Sequence, residues 1–191
     1  MISLAETMRA IYGAWRLARL DAGGLQAYDG SLAGFWRSFS AAIIVAPAQI
    51  LLLWLAPDSA APGPASGRLI AVESLSYVIG WTAFPLAAYY LTQFVDRSNR
   101  YLIYITAYNW AQVIEMAAWL ALSLVSALLF SAAPPPLLQV LLIALVFGYE
   151  WFIARRALGV PGLAAAMFVA AGFVIVFFLD ILTQGLLHAP A

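Results

Sequence analysis

The sequence predicts an all-α membrane protein, a bundle of five transmembrane helices preceded by an N-terminal amphipathic helix. Two observations lead to this fold class. Of the 191 residues, 65% are hydrophobic and only 9% are charged, and the mean hydropathy is +0.93. A soluble domain is about half apolar and about a quarter charged, so this chain has too little polar surface to cover a water-soluble fold. The second observation is that the apolar residues are collected into long runs.

Five apolar runs meet the length of roughly 20 residues that a helix needs to span the hydrocarbon core. The breaks between them contain proline, glycine or charged residues, which favour turns. The longest break is a loop rich in Pro, Gly, Ala and Ser from Pro57 to Gly67. The sequence therefore predicts an N-terminal segment, residues 1–37, at the cytoplasmic surface and a transmembrane domain, residues 38–191. The predicted spans are residues 38–56, 69–95, 101–130, 137–154 and 162–187.

The arginines predict the orientation of the bundle. Every basic residue is an arginine, and short cytoplasmic loops of membrane proteins carry the excess of Lys and Arg. With five alternating spans, eight of the nine arginines fall on one side and only Arg68 falls on the other. We therefore expect a cytoplasmic N-terminus and a periplasmic C-terminus. The alanine-rich, lysine-free composition favours the inner (plasma) membrane of a bacterium.

The segment from Ser3 to Leu20 predicts an amphipathic helix. Ser3 and Glu6 form a capping-box pattern, and the pair Gly23–Gly24 is expected to stop the helix. We expect the helix to lie on the membrane surface, either as a simple anchor or as a helix that senses lipids or docks a partner. Its predicted interfacial residues are Leu4, Met8, Ile11 and Trp15 on the apolar stripe and Arg9 and Arg16 beside it.

Four acidic residues lie inside the predicted spans, namely Glu73, Glu115, Glu150 and Asp180. A charged side chain costs about 2.5 to 3.5 kcal/mol at the centre of a membrane helix, so each acid is expected to face protein or water. One hypothesis is a path for protons or a cation, with Glu115 and Glu150 as its intramembrane stations. The other is hydrogen bonding between helices that stabilises the bundle.

Helical spacing gives these acids candidate neighbours. On span three, one polar and aromatic face contains Tyr101, Tyr104, Tyr108, Gln112, Glu115 and Trp119. Gln139 aligns with Glu150 on span four, and Gln184 aligns with Asp180 on span five. Small residues also follow one face of span five, where they would let another helix approach closely. This predicted packing face consists of Gly162, Ala166 and Ala170.

The composition excludes the usual catalytic and metal-binding arrangements. The chain has no cysteine, and its only histidine is His188, near the end of the sequence. Neither a Ser-His-Asp triad nor a zinc site built on histidines and thiolates can be assembled. The arginines do not form the dense basic stripe that nucleic-acid binding requires. We therefore expect no enzyme activity, cofactor, metal or nucleic-acid partner. The expected partners are the lipid bilayer and either a larger membrane complex or a second copy.

The second half of the chain contains Tyr108-Asn109-Trp110 in span three, Trp151 in span four, and Arg-Arg-Ala-Leu-Gly-Val at residues 155–160. This pattern resembles the Yip family of small five-span membrane proteins, especially its bacterial members. The resemblance covers about residues 100–180. It implies a five-helix bundle with a cytoplasmic N-terminus and a non-enzymatic role in membrane organisation or partner binding. A small transporter or ion-conducting component that uses the intramembrane carboxylates stays open as the alternative.

Overall fold

The computed structural model describes residues 2–55, 66–130 and 134–188. Within these ranges the chain forms seven α-helices and two short 3-10 helices and contains no β-strand, so the predicted all-α class is confirmed. The 3-10 helices are Ala22–Ala27 and Ser98–Arg100. The α-helices are α1 (Leu4–Ala18), α2 (Leu32–Ser38), α3 (Ser40–Leu55), α4 (Ser66–Phe94), α5 (Tyr101–Phe130), α6 (Pro136–Leu158) and α7 (Gly162–His188).

Five stretches of the described residues are long and apolar enough to cross a membrane, as predicted. The chain is a multi-pass membrane protein. These stretches are Leu32–Leu55, Gly67–Phe94, Ser98–Leu129, Pro136–Leu158 and Gly162–His188. Most of the predicted loop from Pro57 to Gly67 lies outside the described residues.

Two boundaries differ by four residues or more. The first apolar stretch begins at Leu32, whereas the first predicted span begins at residue 38. The fourth span ends later than predicted, because arginine is a good helix former. The predicted fourth span ends at Ala154, whereas α6 continues through Arg155 and Arg156 and ends at Leu158. The helix stops where Gly159 adopts the left-handed conformation, with φ 65°. A glycine in this conformation is a common helix terminator. The two arginines therefore belong to the last turn of a helix and not to a loop.

Helix α5 is the centre of the bundle. It contacts α1, α2, α3, α4 and α6, and α7 closes the bundle against α4 and α6. We call the end that carries α1, the α4–α5 turn and the α6–α7 turn the arginine end, and the other the opposite end. The first half of α5, near the arginine end, is buried on nearly all sides. Its buried residues there include Tyr104, Ile105, Ala107, Trp110 and Ala111.

Close packing is concentrated at the arginine end. The buried core residues of α6 lie between Tyr149 and Leu158, and α7 adds Ala165 and Phe168 there. Toward the opposite end the helices expose large apolar side chains, which suits contact with lipid. Examples are Ile50, Trp54, Ile70, Leu128, Leu137, Leu145 and Val176. The molecule therefore has a packed half and an open half.

Helix α1 has two apolar faces. Its buried face consists of the small residues Ala10, Gly13 and Ala14 together with Leu17, and it packs against α5, α6 and the following 3-10 helix. The predicted interfacial stripe lies on the other side of the helix. Of its members Leu4, Met8 and Trp15 are exposed and Ile11 is half-buried. Arg9 is also exposed and Arg16 is half-buried. The rest of the protein thus covers the small-residue face of α1 and leaves the larger apolar side chains on the other side of the helix exposed.

The predicted stop of α1 at Gly23–Gly24 is wrong. The helix ends at Ala18, and Leu20 takes the left-handed conformation with φ 60°. The Leu20 N–H donates to the carbonyl of Leu17 over 2.9 Å, which satisfies an end-of-helix acceptor. A leucine in this role is uncommon, because its Cβ is strained there. The sequence rule that reserves this position for glycine therefore places the stop too late.

The glycines serve close packing instead. A Cβ built on Gly13 would lie 2.6 Å from the Cβ of Ala27 and 2.9 Å from the carbonyl oxygen of Gly24. Both distances are too short for a real side chain. The absence of a Cβ at Gly13 and Gly24 therefore lets the 3-10 helix Ala22–Ala27 lie directly against α1.

An ion-pair clip joins the start of α1 to α2. Ser3 caps α1 and accepts the Glu6 N–H over 3.2 Å, as the capping pattern predicts. The Glu6 carboxylate pairs with Arg37 over 2.9 Å, and Arg37 also contacts Asp29 over 2.7 Å. Hydrogen bonds from the Ser31 backbone N–H and hydroxyl, with Arg37 contributing, lower the pKa of Asp29. The carboxylate form of Asp29 is therefore the form that the folded chain stabilises.

Two buried tyrosines fasten the packed face of α1. The Tyr28 hydroxyl donates to the carbonyl of Ala10 over 3.2 Å, and the Tyr149 hydroxyl donates to the carbonyl of Ala14 over 2.8 Å. Burial raises the pKa of Tyr28. Its hydroxyl therefore stays protonated and remains a donor. These bonds attach α1 both to its own following segment and to α6.

Candidate functional site

The four intramembrane acids lie as two pairs, each bridging two neighbouring helices. Glu115 on α5 and Glu150 on α6 are electrostatic neighbours, and Glu73 on α4 and Asp180 on α7 are the second such pair. Spacing along one helix relates residues of that helix only, so the sequence did not predict this pairing. The acids thus form two local sites on different helix pairs.

Glu115 is the most enclosed of these acids. Its side chain is 7% exposed, and its Oε1 atom is buried without a hydrogen-bond partner among the described residues. It lies about 21 Å along α5 from Tyr101, taking 1.5 Å per residue. A buried polar atom without a partner costs folding free energy. This position is therefore held by the surrounding structure at a cost to stability.

Aromatic side chains form the wall of the Glu115–Glu150 pair. The hydroxyls of Tyr104 and Tyr108 interact electrostatically with both acids, and the Gln112 amide lies beside the Tyr108 hydroxyl. The Phe84 ring packs against these tyrosines, with centroid distances of 6.3 Å to Tyr104 and 4.3 Å to Tyr108. Three members of the polar face predicted on span three, Tyr104, Tyr108 and Gln112, therefore line this site.

Tyr149 connects the same pair to α1. Its ring is buried, its hydroxyl donates to Ala14 of α1, and it interacts electrostatically with Glu115. Tyr149 is not among the predicted site residues, because its contact joins positions 135 residues apart. The only local signal is that Tyr149 immediately precedes Glu150. The enclosed acid pair and the amphipathic helix are thus linked through one side chain.

The second pair lies in the open half. Glu73 is partly buried, whereas Asp180 is exposed. One turn along each helix, the hydroxyls of Ser76 and Thr183 share a hydrogen bond of 2.7 Å, which holds α4 against α7. Asp180 is therefore exposed even though its helix is attached to α4 one turn away.

The candidate glutamines separate into different places. Gln112 lies in the wall of the Glu115–Glu150 pair. The Gln139 amide donates to the carbonyl of Pro134 over 2.6 Å and closes the turn at the start of α6. It lies about 16 Å along the helix from Glu150. Gln184 is exposed on α7. Gln112 alone of the three joins the enclosed acid pair.

The small-residue face predicted on α7 is exposed within this chain, except at Gly162. The Trp151 indole N–H donates to the carbonyl of Gly162 over 2.8 Å. Ala166 and Ala170 are exposed. The buried side of α7 instead carries Ala165, Phe168 and Gly172, because that side meets α4 and α6. Packing of Ala166 and Ala170 against another molecule stays a prediction.

Asn109 is a buried polar residue whose partner is not predicted by spacing along its own helix. The Asn109 amide donates to the Ser38 hydroxyl over 2.8 Å and joins α5 to the end of α2.

In the described part of the chain, no group of three or more His, Cys, Asp or Glu residues is placed to hold a metal ion. No protein-family model, curated protein or solved structure matches this chain. The resemblance to the Yip family therefore stays a prediction.

Proposed function

We propose that this chain is a non-enzymatic membrane protein that acts by binding another membrane protein, either a larger complex or a second copy, through an exposed face of α7. One observation carries the proposal. Asp180 and Gln184 are exposed within a membrane span and lie on the same helix face as the exposed Ala166 and Ala170. We call these four residues the α7 stripe.

The composition of the α7 stripe suits a helix interface better than contact with lipid. At about 100° per residue, its four members fall within an arc of about 80°. An acid that faces lipid is costly. Across a helix interface, alanines permit close approach of the backbones, and carboxyl and amide groups can form hydrogen bonds. Exposed residues elsewhere on α7, such as Phe178 and Leu182, have the apolar character expected of a lipid-facing surface.

The proposed setting is the inner (plasma) membrane of a bacterium, with the arginine end in the cytoplasm. The asymmetric distribution of arginine supports this orientation. The exposed apolar stripe of α1 at the same end supports contact of that helix with the membrane surface. The resemblance to the Yip family, whose members act in membrane organisation and partner binding, supports a role of the same kind.

Single cysteines provide the test, because the natural chain has none. The variant Ala170→Cys, labelled with a benzophenone maleimide, is illuminated in native membranes. Leu182→Cys, also exposed on α7, is the matched control. We expect crosslinked products from position 170 in clear excess over position 182. A product of twice the chain mass identifies a second copy, and a larger discrete product identifies another protein. Equal crosslinking from both positions would refute the α7 stripe as an interface.

A second candidate function rests on the Glu115–Glu150 pair. The buried Oε1 of Glu115 has no partner among the described residues, and an enclosed carboxyl pair of this kind can exchange protons or hold a cation. The measurement is proton or cation flux in liposomes that contain the purified chain. Glu115→Gln and Glu150→Gln are expected to abolish flux, and Asp180→Asn, outside this pair, serves as the control. Absence of flux through the natural chain would exclude this candidate.

A further inference from the structure

The arginine end carries an open cavity of about 670 Å³ between the α4–α5 turn and the end of α6. Five consecutive residues, 96–100, form one wall, and Leu158 and Gly159 form the other. The cavity is a recess that opens to the outside of the molecule and not an enclosed pocket. Its lining is dominated by polar and charged side chains. The cavity is also separate from both acid pairs.

The backbone of this turn is fixed by hydrogen bonds. Asp96 adopts the left-handed conformation with φ 55°, and the Arg97 N–H donates back to the carbonyl of Thr92 over 2.7 Å. The Arg100 N–H donates to the carbonyl of Arg97 over 2.9 Å. This is the pattern of a Schellman helix end followed directly by a 3-10 turn. Arg97 and Arg100 are therefore held one turn apart on a defined backbone.

The two guanidinium groups keep their charge available. The ion pairs found in the described part of the chain use Arg16 and Arg37 and leave Arg97 and Arg100 without a carboxylate partner. Arg97 donates one hydrogen bond to the Asp96 carbonyl over 2.9 Å, which orients its side chain. Asp96 contributes one negative charge to the wall. Two arginines against one aspartate leave a net positive charge for an external anion.

The remaining side chains suit one class of anion. Ser98 supplies a hydroxyl donor and Asn99 supplies an amide donor, and both line the cavity. Guanidinium groups bind phosphate through paired, charge-assisted hydrogen bonds. The cavity opens where three membrane spans end, so it lies at the level where phospholipid phosphates and free phosphate compounds are both accessible.

We propose that this cavity is a binding site for a phosphate group, with Arg97 and Arg100 as its principal ligands and Ser98 and Asn99 as additional donors. The phosphate belongs either to a phospholipid headgroup or to a free phosphate ester. The site is independent of the proposed α7 interface, since the two share no residue. Failure of one proposal therefore leaves the other unaffected.

The test uses the full chain purified in detergent. Phosphatidylglycerol is titrated as the lipid probe and bound lipid is counted by native mass spectrometry, while glycerol 3-phosphate is titrated by calorimetry as the free probe. The double variant Arg97→Gln/Arg100→Gln is expected to weaken binding by at least about tenfold. Binding of phosphatidylglycerol alone identifies a lipid site, whereas binding of glycerol 3-phosphate identifies a site for free phosphate esters.

The matched control removes two other arginines from the same end. Arg155 and Arg156 lie over the rings of Trp151 and Phe152 and do not line the cavity. Arg155→Gln/Arg156→Gln changes the net charge equally and is expected to retain binding. Equal loss in both double variants would show that binding follows net charge alone and would overturn the site, as would absence of binding by both probes.

A third variant guards against misfolding of the double variant. Asp96→Asn keeps a residue that tolerates the left-handed conformation and removes the negative charge from the wall. We expect it to bind the same probe roughly two- to fivefold more tightly. Unchanged or weaker binding would contradict the role assigned to the charges of this cavity.

Discussion

The two halves of the molecule differ in how closely their helices pack. At the arginine end α5 is surrounded by other helices, small residues permit close contacts, and tyrosine hydroxyls bind backbone carbonyls of α1. Toward the opposite end the same helices expose Leu128, Leu145 and many other apolar side chains. Lipid is as apolar as leucine and gives helices little hydrophobic reason to associate. Specific packing, and not apolarity, therefore distinguishes the two halves.

The difference also separates the two acid pairs. Packed helices surround Glu115, so the rest of the folded chain offsets the free-energy cost of burying its carboxyl group. The environment of Glu115 is set by this chain alone. Asp180 lies where the chain leaves it exposed, so its environment depends on whatever lies beside α7. The first pair is a candidate internal site, and the second is a candidate contact with another molecule.

The largest expected effect comes from opening a cavity in the packed half. Phe168 is fully buried. Phe168→Ala should reduce the free energy of unfolding by about 2 kcal/mol or more, because it leaves a cavity and removes packing contacts, which stabilise helix association in lipid as well. Phe177→Ala on the exposed side of the same helix is the control and should change it little. Thermal unfolding in detergent measures both. Equal effects would mean that the two halves are packed alike.

Filling a close contact should have the next largest effect. Gly13→Ala places a Cβ against Ala27 and the Gly24 carbonyl, and should cost about 1 to 3 kcal/mol. Gly185 in the open half has no atom within 4 Å of an added Cβ. Gly185→Ala should therefore be neutral or slightly stabilising, since alanine favours a helix over glycine. A stable Gly13→Ala variant would contradict the close packing of the 3-10 helix on α1.

Removing one polar clamp of α1 should have a smaller effect. Tyr149→Phe deletes the hydrogen bond to the Ala14 carbonyl and should cost about 1 kcal/mol. Hydrogen exchange of the α1 amides should increase at the same time, because α1 loses one of its attachments. Tyr90→Phe, at an exposed position, is the control. Unchanged exchange in Tyr149→Phe would show that packing alone holds α1.

The smallest expected effect is the pH dependence of stability that comes from Asp29. The pKa of Asp29 is lowered on folding, so its contribution to stability is present above the unfolded-state pKa of about 3.9 and is lost as the pH falls through the folded-state value. Asp29→Asn should reduce the free energy of unfolding at neutral pH by less than about 1 kcal/mol, since the group is exposed. Unfolding measured against pH should show the two proteins converging below about pH 4. A difference that persists in acid would argue against the charged clip.

Local patterns predicted the parts of this fold that depend on local physics. The five spans, the Ser3 cap and the shared face of Tyr104, Tyr108 and Glu115 depend on residues close together in the chain, and the structure contains each of them. The stop of α1 was misplaced, because Leu20 takes a conformation that a sequence rule assigns to glycine. The spacing of Gly162, Ala166 and Ala170 predicted a packing face on α7 without identifying the helix that packs on it, because spacing identifies a stripe and not its neighbour.

The sequence by itself determined that the chain is a helical membrane protein with five spans, since hydropathy and length are sums over neighbouring residues. It also determined which residues share a face of each helix. Only the tertiary structure decided which faces meet. The pairing of Glu115 with Glu150, the exposure of Asp180 and the cavity beside Arg97 each depend on how separate helices are placed. Helical periodicity contains no information about that placement.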